Sequence, residues 1–266
     1  MIDRQKAEEA FRNYAARYDP ENPMIRLKIQ HTLCVAALAA RIAGSLPAVT
    51  EEDAGFAWFL GLLHDIGRFE QVRQYGTFVD SLSTDHAELG ADLLFRDGLI
   101  RAFPVQCLSS REMRIAETAV RAHNKLALPA DLDERTRRFC DILRDADKAD
   151  IFRVISELPF ETRIGSSAGL FPDGEEASPE VMACVLAHRC VPREARKNRF
   201  DGRISHCCLA FELVFPETRR IVLEQGWLLR LLQPLGPDGA PLWDGQKARQ
   251  LQTVRREIEK AWMQPL

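Results

Sequence analysis

The sequence predicts an all-α fold on three observations. Apolar residues recur at the spacing of one helical face along almost the whole chain, and alternating runs rich in β-branched residues are scarce. Capping residues, prolines and glycines divide this pattern into segments of helical length. With 266 residues, 46% of them hydrophobic, the chain can form one large domain or a domain with an extension.

Two prolines mark the first two helices. The first helix is predicted over about residues 4 to 18, because Pro20 follows it and breaks the helical pattern. Pro23 has the backbone angle that suits the first turn of a helix, so the second helix is predicted over about residues 24 to 46. This second helix carries His31 in its interior.

A capping box begins the third helix. Thr50 is followed three residues later by Asp53, and this spacing lets the two residues cap one helix start reciprocally. We expect the helix to run to about Asp65 and to be ended by Gly67. The pair His64-Asp65 would then close the helix.

An irregular stretch is expected from residue 68 to residue 83. Ser83 or Thr84 can cap a fourth helix, which would carry His86 in its first turn. A side chain in that position would lie beside a loop.

Two further helices bring up the remaining polar residues of interest. Ser109 or Ser110 can cap a helix that reaches His123. Asp133 can cap the next helix, which is predicted to continue through Asp147.

A segment rich in Gly, Ser and Pro, residues 157 to 179, interrupts the periodicity and is predicted to be a long loop. We therefore place a helical core at residues 1–156 and a helical extension, packed on that core, at residues 157–266. Further amphipathic helices are expected in the extension at 178–189, 203–215, 217–232 and 247–262.

Composition and charge exclude several classes of function. The formal net charge of -3 argues against broad nucleic-acid binding, which needs a basic surface. The apolar stretch at residues 56–63 is too short to span a bilayer, and no membrane association is expected. The seven cysteines form no CxxC pair, which favours a reducing compartment and a cytoplasmic location. The apolar residues around Trp227 are typical of core or of a homodimer surface.

Histidine and aspartate residues recur in an order that indicates metal binding. Imidazole and carboxylate are ligands that borderline and harder divalent cations accept together. A His-Asp dipeptide alone is a weak motif, but an ordered set placed on helices or helix ends is a stronger one. The candidate metal ligands are His31, His64, Asp65, His86, His123 and Asp147.

These ligands lie in segments that resemble the HD-domain superfamily of metal-dependent phosphohydrolases. The resemblance covers about residues 24 to 156, and it implies an all-α helical bundle. The segments that carry it are KIQHTLCVAALAARIA, LGLLHDIGRF, DHAELGADLL, VRAHNK and LRDADKADIF.

The six-ligand set is similar to the branch of this superfamily that holds two metals, which includes the HD-GYP cyclic-dinucleotide phosphodiesterases. That similarity implies a second metal held by His86 and His123, with Asp65 bridging both ions. The implied ligands of the first metal are His31, His64, Asp65 and Asp147. The chain has RFEQVRQYGTF where a GYP segment would follow, so specificity for cyclic dinucleotides is not carried over.

The resemblance implies hydrolysis of a phosphomonoester or phosphodiester in a small molecule, with nucleotides as one substrate class. A hydroxide held between two divalent ions would attack phosphorus while the ions stabilise the charge that develops on oxygen. Fe and Mn are favoured, and Co, Ni and Zn can be accommodated. Arg68 and Lys28 are candidates to contact phosphate. The expected catalytic residues are thus Asp65, Arg68 and Lys28, and Arg144 and Lys148 could add positive charge.

Two alternatives use the same residues. Mixed-valent di-iron oxygenases of the HD superfamily also hold two irons through four histidines and two aspartates. A metal-binding signalling module without turnover is the other alternative, since a fold alone does not guarantee catalysis. His188 and His206 fall outside the ordered set and are interpreted as surface or structural residues.

Overall fold

The fold is all-α, as predicted. The computed structural model describes residues 1–157, 171–236 and 238–263, and in these residues the only β-type pairing is an isolated bridge between Leu235 and Pro241. The described residues form two compact units, residues 1–150 and the remainder. The division falls inside a helix, and most of the predicted loop, residues 158–170, lies outside the described residues.

The first unit is built from six complete helices and the beginning of a seventh. Short 3-10 turns at 80–82 and 99–102 and a π-helical turn at 92–96 lie between these helices. The α-helices are α1 (Arg4–Ala15), α2 (Pro23–Gly44), α3 (Glu51–Leu63), α4 (Ile66–Tyr75), α5 (His86–Ala91), α6 (Ser110–Ala122) and α7 (Glu134–Glu157).

The close packing of α2 against α3 forms the centre of the first unit. A Cβ atom added to Gly61 would lie 2.6 Å from the Cα of Ala36, so this glycine lets the two backbones approach each other. An aromatic pair packs α3 against α7: the rings of Phe56 and Phe139 are 4.9 Å apart between centroids and meet edge to face. The helices are therefore held at fixed spacing, which positions the polar side chains that they carry.

Three predicted helix starts are confirmed, but the cap of α5 is Asp85 rather than Ser83 or Thr84. Thr50 and Asp53 form a capping box at α3, and Ser109 forms another at α6 with Glu112. The carboxylate of Asp133 accepts hydrogen bonds from backbone N–H groups in the first turn of α7. These local signals were readable because a cap depends on residues close in the chain.

The predicted end of the third helix at Gly67 is wrong. α3 stops at Leu63, a turn at His64 and Asp65 follows, and the chain re-enters a helix, α4, that contains Gly67. A Cβ on Gly67 would lie 2.2 Å from the carbonyl oxygen of His86 and 2.6 Å from the backbone nitrogen of Gly90. The glycine is needed for the close crossing of α4 and α5, and the stretch after it is largely helical rather than irregular.

The second unit contains the end of α7 and five more helices. Residues 217–232, predicted as one helix, are split at Gly226, whose φ of +70° is the left-handed conformation that ends a helix. Residues 203–215 are α-helical only as far as Cys207 and continue as a 3-10 turn. The helices are α8 (Pro179–Leu186), α9 (Arg199–Cys207), α10 (Pro216–Gln225), α11 (Trp227–Leu232) and α12 (Gly245–Met263).

Within the described part of the chain, no helix is both long enough and apolar enough to cross a membrane.

Candidate metal centre

The six predicted ligands come together in the first unit. Five of them are buried, and the side chain of Asp147 is 14% exposed. α2 contributes one ligand, the turn between α3 and α4 two, the start of α5 one, the end of α6 one, and α7 one. In that order they are His31, His64, Asp65, His86, His123 and Asp147.

Asp65 lies at the centre of the group, and its two oxygens face different pairs of histidines. Oδ2 is 3.5 Å from Nε2 of His31 and 3.4 Å from Nε2 of His64. Oδ1 is 3.6 Å from Nε2 of His86 and 3.7 Å from Nε2 of His123. One carboxylate therefore joins two halves of the site.

Asp147 completes the first half. Its Oδ1 is 3.1 Å from Nε2 of His31 and 3.7 Å from Nε2 of His64. No carboxylate other than Asp65 comes as close to Nε2 of His86 or His123 among the contacts of the described residues. The first half is thus richer in negative charge than the second.

Backbone carbonyls fix the orientation of two imidazoles. Nδ1 of His64 donates to the carbonyl of Gly61, and Nδ1 of His123 donates to that of Val120, both at 2.7 Å. A carbonyl can only accept, so Nδ1 carries the hydrogen in both rings. The lone pair of each neutral ring is then on Nε2, which faces Asp65.

Carboxylates fix the other two imidazoles. Nδ1 of His31 donates to Asp150 at 2.7 Å, and Nδ1 of His86 donates to Asp80 at 2.8 Å. Neither carboxylate was among the site residues expected from the sequence. The signal for Asp150 was its position one helical turn after Asp147; nothing local marks Asp80, whose role depends on the path of the chain between α4 and α5.

The donor atoms fit divalent cations. Nε2 of His31 is 3.3 Å from Nε2 of His64, and Nε2 of His86 is 3.1 Å from Nε2 of His123. In the neutral form of each ring, Nδ1 holds the hydrogen and Nε2 presents a lone pair, which is the form that binds a divalent cation. Imidazole nitrogen with carboxylate oxygen is the donor set that Zn, Fe and Mn accept.

Comparison with known families agrees with this geometry. Residues 29–154 match the HD domain. The matched segment contains all six of the clustered ligands and supports the HD superfamily, whose members are mostly metal-dependent phosphohydrolases. Neither the search of curated proteins nor the search of solved structures gave a match.

The charges around this candidate metal centre shift the ionisation of its ligands. Burial, followed by the guanidinium of Arg68, lowers the pKa of His86 to about 3, so the ring is neutral at pH 7. Burial and the Lys28 ammonium also act to lower the pKa of His31, but hydrogen bonds to Asp147 and Asp150 outweigh them and raise it. The carboxylates around His31 therefore favour a positive charge at that position.

Lys28 is in direct contact with the central carboxylate of the candidate metal centre. Its Nζ donates to Oδ2 of Asp65 at 2.6 Å, and its side chain is 15% exposed. The same Nζ lies 5.3 Å from the centroid of the Phe78 ring, a distance typical of a cation–π contact. Lys28 thus places a positive charge at the edge of the site.

Arg68 is close to the site but is largely committed to structural partners. Its Nη1 donates to Gln71, to the carbonyl of Phe78 and to Asp80, at 2.7 to 3.0 Å. Its closest atom to Asp65 is Nε, which is 3.7 Å from Oδ1. The structure thus shows Arg68 tying the loop after α4 to that helix.

Arg144 and Lys148 were expected to add positive charge. Nη1 of Arg144 donates to the carbonyls of Ala122, His123 and Lys125, so this guanidinium holds the end of α6. Lys148 is buried in α7. Carbonyl groups of the fold accept from Nη1 of Arg144 but do not neutralise its charge, so the added positive charge of Arg144 and Lys148 stays a prediction.

A further cluster of possible metal ligands lies next to the second half of the centre. Asp80, Asp85 and His86 each bring a possible ligand atom within 4.8 Å of the others. However, Asp85 caps the start of α5 and receives the ammonium of Lys125 at 2.6 Å, while Asp80 receives Nδ1 of His86. The Lys125 ammonium beside Asp85 and the Arg68 guanidinium, 3.0 Å from Asp80, already offset the two carboxylate charges, so we interpret the group as a structural support of His86.

Proposed function

We propose that this protein is a metal-dependent phosphohydrolase that cleaves a phosphomonoester or phosphodiester in a small molecule, with nucleotides as the first class to test. The proposal extends the HD-domain match to a reaction and to a two-metal site with Fe or Mn as the favoured ions. A cytoplasmic location and a homodimer remain predictions.

The observation that carries the proposal is the position of Asp65 between two pairs of imidazoles. Each oxygen of its carboxylate lies 3.4 to 3.7 Å from two Nε2 atoms. A pair of divalent ions, when bound, would supply a Lewis acid on each side of one phosphate and would activate water between them. Oδ1 and Oδ2 would hold the two halves at a fixed separation.

The remaining residues suit an anionic substrate. The ammonium of Lys28 is partly exposed beside Asp65 and can donate to a phosphate oxygen. The rings of the four histidines are fixed through Nδ1, so they present Nε2 without side-chain reorganisation. No nucleophilic side chain is required by this arrangement.

The proposal is tested with protein stripped by a chelator and reloaded with Mn²⁺ or Fe²⁺. Release of phosphate or alcohol is measured over a panel of nucleoside monophosphates, sugar phosphates and cyclic or linear dinucleotides. Turnover by the reloaded protein, lost in Asp65→Asn and kept in Asp53→Asn, is the expected result. Full metal occupancy without turnover of any ester would contradict the proposal.

A di-iron oxygenase is the alternative that this experiment must separate. Four imidazoles and two carboxylates also suit two irons, whereas the Lys28 ammonium beside the site favours a phosphate ester. Oxygen consumption by the iron-loaded protein, dependent on an added substrate and absent with Mn²⁺, would replace the hydrolase by the oxygenase. Hydrolysis that proceeds without oxygen supports the proposed function.

A further inference from the structure

We infer that Asp80 and Asp150 are a matched pair of positioning residues, one for each half of the metal centre. Asp150 fixes His31 in the first half, and Asp80 fixes His86 in the second half. The inference rests on the metal centre of the proposed function, but it does not depend on which reaction the centre performs.

The four imidazoles follow a regular pattern of support. In each Nε2 pair, one ring donates Nδ1–H to a backbone carbonyl three residues earlier, and the other donates it to a carboxylate. The carbonyl-supported rings are His64 and His123. The carboxylate-supported rings are their partners, His31 and His86.

The two kinds of support differ in what they do to Nε2. A carbonyl fixes the tautomer and the orientation of the ring. A carboxylate does the same and also increases the basicity of the opposite nitrogen, because its negative charge stabilises positive charge on the imidazole. Each half therefore holds one strongly donating imidazole.

α7 contacts both nitrogen atoms of His31. Oδ1 of Asp147 lies 3.1 Å from Nε2, and Oδ2 of Asp150 lies 2.7 Å from Nδ1. Residues three apart in a helix lie on the same face, so one turn of α7 reaches both nitrogens of this ring. Asp150 thereby orients His31 towards Asp147 and Asp65.

Asp80 is itself held in place. Its Oδ1 accepts from Nη1 of Arg68 at 3.0 Å and from Nε2 of Gln71 at 2.9 Å. Gln71 is fully buried and also donates to Ser83 and to the carbonyl of Thr84. α4 thus fixes the loop that carries Asp80. Arg68 takes part in this contact, so its role is to support the position of Asp80.

The experiment measures the binding of Mn²⁺ alone. Chelator-treated protein is titrated with Mn²⁺, and free Mn²⁺ is followed by electron paramagnetic resonance. We expect the wild type to bind two Mn²⁺ ions. Asp80→Asn and Asp150→Asn should each raise the dissociation constant of one site by roughly 10- to 100-fold. Asp80→Ala, which also removes the hydrogen-bond acceptor, should weaken binding more than Asp80→Asn.

A variant that has already lost one half identifies which site is affected. In a His123→Ala background, which removes the second half, Asp80→Asn should leave the remaining dissociation constant unchanged. Asp150→Asn should weaken the remaining site in that background. A merely structural role would affect both sites and would give no such selectivity.

Asp53→Asn is the matched control. The Asp53 side chain is 15% exposed, close to the 16% of Asp80, and it pairs with an arginine at 2.6 Å outside the centre. Thermal unfolding verifies that every variant is folded, and Asp150→Ser replaces Asp150→Asn if the latter is not. Unchanged Mn²⁺ binding in the Asp80 and Asp150 variants, or equal weakening of both sites, would overturn the inference. Selective weakening in a protein that hydrolyses no ester would leave the inference standing and refute the proposed hydrolase.

Discussion

Nζ of Lys28 lies 2.6 Å from Oδ2 of Asp65, the carboxylate that separates the two histidine pairs. A divalent cation beside Asp65 and the Lys28 ammonium compete for the same negative charge. A cation bound at Asp65 would therefore weaken this ion pair and leave the Lys28 ammonium available to a phosphate.

Lys28→Met should separate these two effects. Removal of the ammonium should leave Mn²⁺ affinity unchanged or higher, because no positive charge then competes at Asp65. It should lower kcat/KM for a phosphate ester by about 100-fold, since a charged donor near the phosphate is lost. Lys197→Met, which removes an ion pair of the same 2.6 Å length at Glu180, is the control and should change neither quantity.

Asp65→Ala should abolish both bound metal and hydrolysis. The residue is assigned to both halves, so its loss removes an oxygen from each. Metal content is measured by elemental analysis of protein purified without chelators. His188→Asn should retain the wild-type complement, and asparagine tolerates the positive φ of 50° found there. Wild-type metal content in Asp65→Ala would refute the shared role of this carboxylate.

His86→Ala and His123→Ala should each leave a folded protein with about one metal instead of two. His31, His64 and Asp147 would still surround the first half, which the two substitutions do not touch. Hydrolysis should fall steeply, because half of the electrostatic stabilisation of phosphate would be missing. Elemental analysis and a rate measurement on both variants check this. Metal content and activity unchanged from wild type in either variant would contradict the assignment of His86 and His123 to a second ion.

Gly67→Ala should disturb the second half through the backbone. The added Cβ would meet the carbonyl oxygen of His86 at 2.2 Å, so α4 and α5 must separate. We expect a loss of roughly 1–3 kcal/mol in the free energy of unfolding, together with weaker binding of one Mn²⁺. Gly55→Ala is the matched control, because nothing lies within 4 Å of a Cβ there and alanine favours the helix by up to about 1 kcal/mol. Equal stability of the two variants would contradict the tight crossing.

Asp53→Asn should destabilise the fold in a pH-dependent manner. Burial acts to raise the pKa of Asp53, but the Arg135 guanidinium and the backbone N–H of Thr50 hold it below the usual value. The stabilisation is thus fully present above the unfolded pKa of about 3.9 and is lost as the pH falls through the lower folded value. Urea unfolding of wild type and variant from pH 7 to pH 3 should show a difference in the free energy of unfolding that narrows below about pH 4. A difference that is constant over this range would refute the ion pair as its source.

Much of the fold was predictable because its determinants are local. Helical spacing of apolar residues predicted the all-α class, and Thr50, Ser109 and Asp133 predicted three helix starts correctly. Gly67 was misread because a glycine that ends a helix and a glycine that allows a close crossing look alike in sequence. Gly226 was likewise overlooked inside a continuous apolar pattern, although its backbone conformation ends a helix.

In the candidate site, the ligands were predictable from the sequence, but the residues that support them were not. The six clustered ligands could be named in advance because their order along the chain resembles a known pattern, and the structure brings them together. The supports of the rings could not, since Asp80 reaches His86 only through a loop that α4 anchors by Arg68 and Gln71. That arrangement depends on tertiary contacts, which helical periodicity does not describe.

The two oxygens of the Asp65 carboxylate link the metal affinities of the two halves of the centre. Oδ1 and Oδ2 share one delocalised negative charge, and they face different pairs of imidazoles. A cation at one oxygen withdraws electron density from the other, so the affinities of the two halves are linked and reciprocal. In the proposed two-metal site, the first ion to bind would reduce the affinity for the second, and the two dissociation constants would differ even if every other ligand were identical. Intermediate metal concentrations should therefore yield a population of half-loaded protein.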